Sequence, residues 1–186
     1  MKATFIDFED SFSYNIVQEL TLVGFDVTVI NWKDYDENPL EGLLVAGPGP
    51  GHPDDYASIF HLFKRWLSED RPFFGVCLGH QIFWRLQGGE VVRSKEPLHG
   101  QRVLLNLTEE WKQWLGIKEK VYVQRYNSLS VPGELAEKNP YCINFIQDNE
   151  ILITRTNRVI TYQFHPESIG TTFRTEFMQV ICSIMA

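Results

Sequence analysis

The chain has 186 residues, with 17 Lys+Arg against 24 Asp+Glu, a formal net charge of −7, 44% hydrophobic and 22% charged residues. This describes one soluble globular domain over residues 1–186 and excludes a disordered chain. It also disfavours a nucleic-acid binder, which needs a basic footprint.

In chain order, Ala3-Thr4-Phe5-Ile6 predicts a first strand ending at Asp7. Asp7, Glu9 and Asp10 stand where a secretory signal would be apolar. Apolar residues at Tyr14, Val17 and Leu20 predict a helix over Ser11–Val23, closed by Gly24. Val27–Ile30 reads as a strand, and Leu43–Ala46 as another stopped by Gly47. Tyr56–Leu67 is amphipathic with helical spacing, Pro72–Val76 is strand-like, and a further helix runs from Leu78 or Gly79 to Leu86. Strands alternating with helices, and apolar along their whole length, predict an α/β fold with a mostly parallel sheet and helices on both faces. The second half differs. Val91-Val92, Arg102–Leu107, Val121–Gln124, Ile151–Thr154 and Val159–Phe164 are short alternating runs that predict antiparallel additions, and Phe173–Met185 suggests a closing helix. No run approaches the roughly 20 apolar residues that span a bilayer, so no membrane role is expected.

Ligands of open α/β sheets bind beyond the carboxyl ends of the strands. That rule selects Asp7, Gly47-Pro48-Gly49, Cys77 and His165. Cys77 would sit on a sharp strand-to-helix turn, flanked at ±2 by Gly75 and Gly79, as a nucleophile sits in an elbow. The helix N-terminus would favour its thiolate. The competing reading is a small buried core residue, as free cysteines usually are. Cys142 and Cys182 have no comparable setting, and three sparse cysteines suit a reducing, cytoplasmic compartment.

A thiolate mechanism needs a base and something to orient it. In the extended His165-Pro166-Glu167 segment, residues two apart point the same way, so Glu167 could hold the imidazole. The alternative is a surface histidine beside a solvated glutamate. In Gly47-Pro48-Gly49-Pro50-Gly51 the prolines carry no N–H, leaving Gly47, Gly49 and Gly51 as donors. Such a loop is either an oxyanion hole or a plain connection. It lacks the Lys-Ser/Thr of a phosphate loop. Cys77 and His80 have no second Cys/His pair, so no metal site is expected.

The order of these motifs (a GPG turn, Gly75-Val76-Cys77-Leu78-Gly79-His80-Gln81, then His165-Pro166-Glu167-Ser168) resembles the class I glutamine amidotransferases across essentially the whole chain. Asp7–Asn15 is similar to the D-N-Y-D-S-F-T-Y-N opening of the branch that serves anthranilate and aminodeoxychorismate synthases. Gly88-Gly89 and Pro97-Leu98-His99-Gly100 also agree. The resemblance implies a flavodoxin-like α/β domain that hydrolyses L-glutamine without a cofactor. It implies Cys77 as nucleophile, His165 as acid and base, and Glu167 as its orienter, with Gly49 and Leu78 amides as oxyanion donors. Gly47-Pro48-Gly49, Gln81 and Ser128-Leu129 match substrate-holding positions. Asp10, Ser11, Phe12 and Asn15 would face a larger chorismate-binding synthase subunit, the separate acceptor of ammonia. The alternatives are a stand-alone γ-glutamyl hydrolase and a non-catalytic synthase-binding subunit. Two positions depart from the pattern: the family's R-Y-H-S-L reads Arg125-Tyr126-Asn127-Ser128-Leu129, and the lysine after H-G is Gln101. Both departures bear on how the chain meets its synthase, and on which synthase that is.

Overall fold

The computed structural model describes residues 1–36, 38 and 40–186 and builds a seven-stranded central sheet. Five strands run parallel in the order β2 (Asp26–Asn31), β1 (Lys2–Asp7), β3 (Leu43–Ala46), β4 (Phe73–Val76) and β11 (Val159–Tyr162). Beyond β11, β10 (Glu150–Arg155) and β9 (Ile143–Gln147) add antiparallel. β3, β4 and β11 are buried at every residue, which is why their sequences are continuously apolar rather than alternating.

Successive side chains of each strand go to opposite faces and so build two cores. Phe5, Val45, Phe74 and Tyr162 pack with Ile16 and Leu20 of α1 (Ser13–Leu22) and Phe177 and Met178 of α5 (Arg174–Gln179). On the other face Ile6, Leu44 and Phe73 meet Leu62, Phe63 and Trp66 of α2 (Phe60–Ser68) and Ile82, Phe83 and Trp84 of α3 (Leu78–Leu86). Each such side chain contributes about 1.5–3 kcal/mol when fully buried. That packing is what holds α1, which has no side-chain cap and no acidic first turn.

Several elements differ from the sequence expectation. β11 extends the parallel block rather than adding antiparallel, because it pairs with β4 in register Tyr162↔Val76. A helix α4 (Glu109–Leu115) follows β6 (Gln101–Leu105), with Thr108 accepting from the Trp111 N–H and Gly116 ending it at φ 71°. β6 pairs with β7 (Val121–Arg125), and β5 (Val92–Arg93) with β8 (Leu129–Ser130), as two separate antiparallel ribbons. The helix expected from Tyr56 is a 3-10 segment over Pro53–Ile59 before α2 begins. The closing helix likewise loosens to 3-10 geometry at Val180–Met185. Among the described residues, no helix is long and apolar enough to cross a membrane.

Candidate active site

The carboxyl ends of β1, β3, β4 and β11 form one rim, and the strand order reverses between β1 and β3. All four segments selected from the sequence lie on that rim. Cys77 follows β4 at φ 53° and ψ −98°, a region a non-glycine residue seldom enters. The turn is held from three sides. The Cys77 N–H donates to the Tyr162 carbonyl at 2.8 Å. A Cβ on Gly79 would lie 2.0 Å from the Ala46 carbonyl oxygen, and one on Gly75 would lie 2.8 Å from the Gly79 backbone. Glycine at both positions lets β3, β4 and α3 close around the cysteine.

His165 follows β11 and is 2% exposed. Its N–H donates to Gln124 of β7 at 3.0 Å, and its carbonyl accepts from Thr171 Oγ1 at 2.7 Å. The ring lies against Phe12 and Tyr126, at centroid distances of 5.3 and 4.9 Å. Nδ1 meets Glu167 Oε1 at 2.7 Å, and the ring is close enough to Cys77 for the sulfur's charge to act on it. Burial opposes charge on this imidazole, but hydrogen bonds and charge from Cys77 and Glu167 outweigh it and hold His165 well above its ordinary pKa. Glu167 is buried, and its Oε2 has no partner among the described residues.

The glycine-proline loop divides in two. The Gly47 N–H goes to the Ile6 carbonyl at 3.2 Å, and the Gly47 carbonyl accepts from the Gly79 N–H at 3.1 Å. Gly47 is therefore tied into the sheet and is no free donor, a correction to its expected availability. Gly49 instead abuts the Cys77 turn, with room for a Cβ closed off by Leu78 Cδ2 and Phe8 Cβ at 2.5 Å each. Pro48 is buried between them. Gln81 and Leu129 are brought together, Gln81 Nε2 donating to the Leu129 carbonyl at 3.1 Å, while Ser128 is exposed. On the facing loop, Asp10 Oδ1 accepts from the Phe12 N–H at 2.8 Å, and Ser11 and Asn15 are exposed. Gln101 sits on β6 opposite Arg125.

Sequence reasoning passed over Gln163 and Tyr126. Gln163 is fully buried, and its Nε2 lies 3.8 Å from Cys77 Sγ. Tyr126 has no mark in the sequence; only the bridge between Gln124 and His165 brings it to the imidazole. Pro166 and Glu167 form a turn, the Ser168 N–H donating to the His165 carbonyl at 3.3 Å, a correction to the extended segment expected there; it is the turn that brings Glu167 to the imidazole.

The fold and site define an α/β domain with a cysteine elbow and an imidazole–carboxylate pair. A putative GMP synthase subunit protein from Thermoplasma acidophilum has the same fold, with a TM-score of 0.79 and 18% identity over 99% of this chain and 94% of that one. A glutamine amidotransferase from Thermotoga maritima follows at 0.68 and 19%, over 90% and 76%. The family model "Glutamine amidotransferase class-I" matches residues 4–183. Anthranilate synthase component 2 of Helicobacter pylori is 34% identical over 92% of this chain and 91% of its own length. The aminodeoxychorismate/anthranilate synthase component 2 of Bacillus subtilis is also 34% identical, over 94% and 92%. The chain belongs to the class I glutamine amidotransferases.

Proposed function

We propose that the chain is the glutaminase subunit of a chorismate-using synthase making anthranilate or 4-amino-4-deoxychorismate, in the cytoplasm. The single observation that carries the chemistry is Cys77, held in its elbow beside an imidazole paired with Glu167 at 2.7 Å. The chorismate branch is supported by relatives whose names are component 2 of those synthases.

The Cys77 thiolate attacks the side-chain carbonyl carbon of L-glutamine. The amides of Gly49 and Leu78 take the developing oxyanion, Leu78 being the first residue of α3, where backbone N–H groups have no helical partner. His165 gives its proton to the carboxamide nitrogen, the C–N bond breaks, and ammonia leaves a γ-glutamyl thioester. His165, now neutral, takes a proton from water, whose oxygen attacks the thioester; Cys77 departs as thiolate and glutamate is released. Glu167 keeps Nδ1 occupied so that the other ring nitrogen faces the sulfur. Gln81 and the Ser128-Leu129 backbone hold glutamine's α-groups.

Ammonia protonated by bulk water is no longer nucleophilic, so it has to pass directly to its acceptor. Beside Glu167 a cleft of about 330 Å³ is lined by Phe12, Asn15, Tyr126, Ser168 and Ile169, the last 93% exposed. This face, with Asp10 and Ser11, is where the larger subunit sits. Glutamate release measured with the purified chain alone, then with a chorismate-binding synthase and chorismate, tests the reading. Turnover rises at least about tenfold in the complex, as expected for a site completed on closure. Equal turnover with and without the synthase would contradict the partnership.

A further inference from the structure

A line of buried amides leads from an ion pair to the nucleophile. Arg125 on β7 is 3% exposed and pairs with Glu150 on β10, whose other oxygen accepts from Ser94 Oγ at 2.5 Å. A guanidinium can only donate. Its Nε reaches Asn127 Oδ1 at 3.1 Å, which leaves Asn127 Nδ2 to donate to the Leu129 carbonyl at 2.9 Å. A carbonyl can only accept, so Gln81 presents its amino group to Leu129 at 3.1 Å. The same Nε2 donates at 3.2 Å to Gln163, which therefore presents Oε1 to Gln81. That leaves Gln163 Nε2 at 3.8 Å from Cys77 Sγ. Amide orientations are ordinarily ambiguous. Here Arg125 and the Leu129 carbonyl agree on Asn127, the same carbonyl fixes Gln81, and Gln81 in turn fixes Gln163.

We propose that this relay aims an N–H donor at the sulfur, with Gln163 stabilising the Cys77 thiolate directly, Gln81 orienting Gln163, and Arg125 and Asn127 acting as positioning residues that hold the Leu129 carbonyl on which Gln81 is anchored. The inference rests on the reading of Cys77 as nucleophile. It accounts for Asn127 at a position where the resembling R-Y-H-S-L segment has histidine. A neutral imidazole offers one acceptor and one donor, the same polarity an amide offers between Arg125 and Leu129. An imidazolium would offer two donors and lose its bond from Arg125. Asparagine keeps the sense of the relay at every pH.

Alkylation of Cys77 by iodoacetamide, followed by mass spectrometry of its peptide, reads the sulfur without involving glutamine. Gln163→Leu and the isosteric Gln163→Glu slow alkylation by about tenfold or more, the scale of one hydrogen bond to a charged group. Asn127→Asp turns an oxygen toward the Leu129 carbonyl and slows it about threefold or more, while Asn127→His stays within about twofold of wild type. A folded Gln163→Leu or Gln163→Glu protein that alkylates at the wild-type rate overturns the relay, and so does an Asn127→Asp protein that does. Where the leucine variant fails to fold, the glutamate variant decides. Glutamine turnover is scored separately: a wild type whose Cys77 alkylates but which never hydrolyses glutamine, even with a synthase, removes the glutaminase reading, and alkylation still decides the relay.

Discussion

Cys77 holds a backbone conformation that costs on the order of 1–3 kcal/mol for a non-glycine residue. The cost is offset by the N–H bond to Tyr162 and by two glycines that admit close packing, so the strain is kept where the chemistry is. The sulfur meets an imidazole whose proton is retained despite burial, the state needed to protonate a leaving amine. Because the folded His165 lies above its ordinary pKa of 6.5, its contribution to stability is full below that value and is lost as pH rises through the folded one. Glu167→Gln keeps an acceptor for Nδ1 but removes the charge. It lowers kcat for glutamine hydrolysis by at least about tenfold, with KM changed far less; steady-state kinetics check this, and an unchanged kcat would reduce the triad to a dyad. The setting of Cys77 was legible in its glycine spacing, whereas His165 and Glu167 meet across a turn at Pro166 and not by the strand alternation expected of them. The tie of Gly47 to Ile6 was not legible either, since nothing local says which glycine amides the sheet will take.

Helix α3 connects the site to the core through His80. This side chain is fully buried against β11, its Nδ1 lying 2.7 Å from Thr161 Oγ1. Burial pushes its pKa down to about 3, the Ile151 backbone opposing and the Arg125 charge reinforcing the shift. Between about 6.5 and about 3 the unfolded chain binds a proton at this histidine that the folded chain does not, so stability falls as pH falls. The slope from this one group is about 1.4 kcal/mol per pH unit. Urea unfolding of His80→Leu across that range shows a slope flatter by about that amount; an unchanged slope would place the acid sensitivity elsewhere. Helix α4 shows what the chain order alone obscured. Thr108, Glu109, Glu110 and Gly116 are ordinary start and stop signals, but the helix is short and follows a strand that belongs to no central sheet. β9 was hidden differently. Ile143 and Ile146 are about half exposed on a strand at the sheet edge, so its pattern lacks the buried run that marks β3 and β4.

At the level of the sheet, β3 and β4 were legible because they are buried at every residue, whereas the place of β11 in the parallel block and the ribbons β5–β8 and β6–β7 depend on long-range pairing that no local pattern encodes. Those ribbons nevertheless shape the site: β7 carries Arg125 and bridges to His165, and β8 begins at Leu129 beside Gln81. The four strand ends thus bring together Cys77, His165 and the glycine-proline loop to which the proposed function gives the chemistry, and the ribbons close the side where Gln81 and Leu129 lie. In the proposed reaction ammonia is released at Cys77 and used elsewhere. The most direct test is Cys77→Ser in complex with a chorismate-binding synthase, assayed with glutamine and separately with added ammonium. Product formation from glutamine is abolished and formation from ammonium retained; glutamine-dependent product at the wild-type rate would contradict the account.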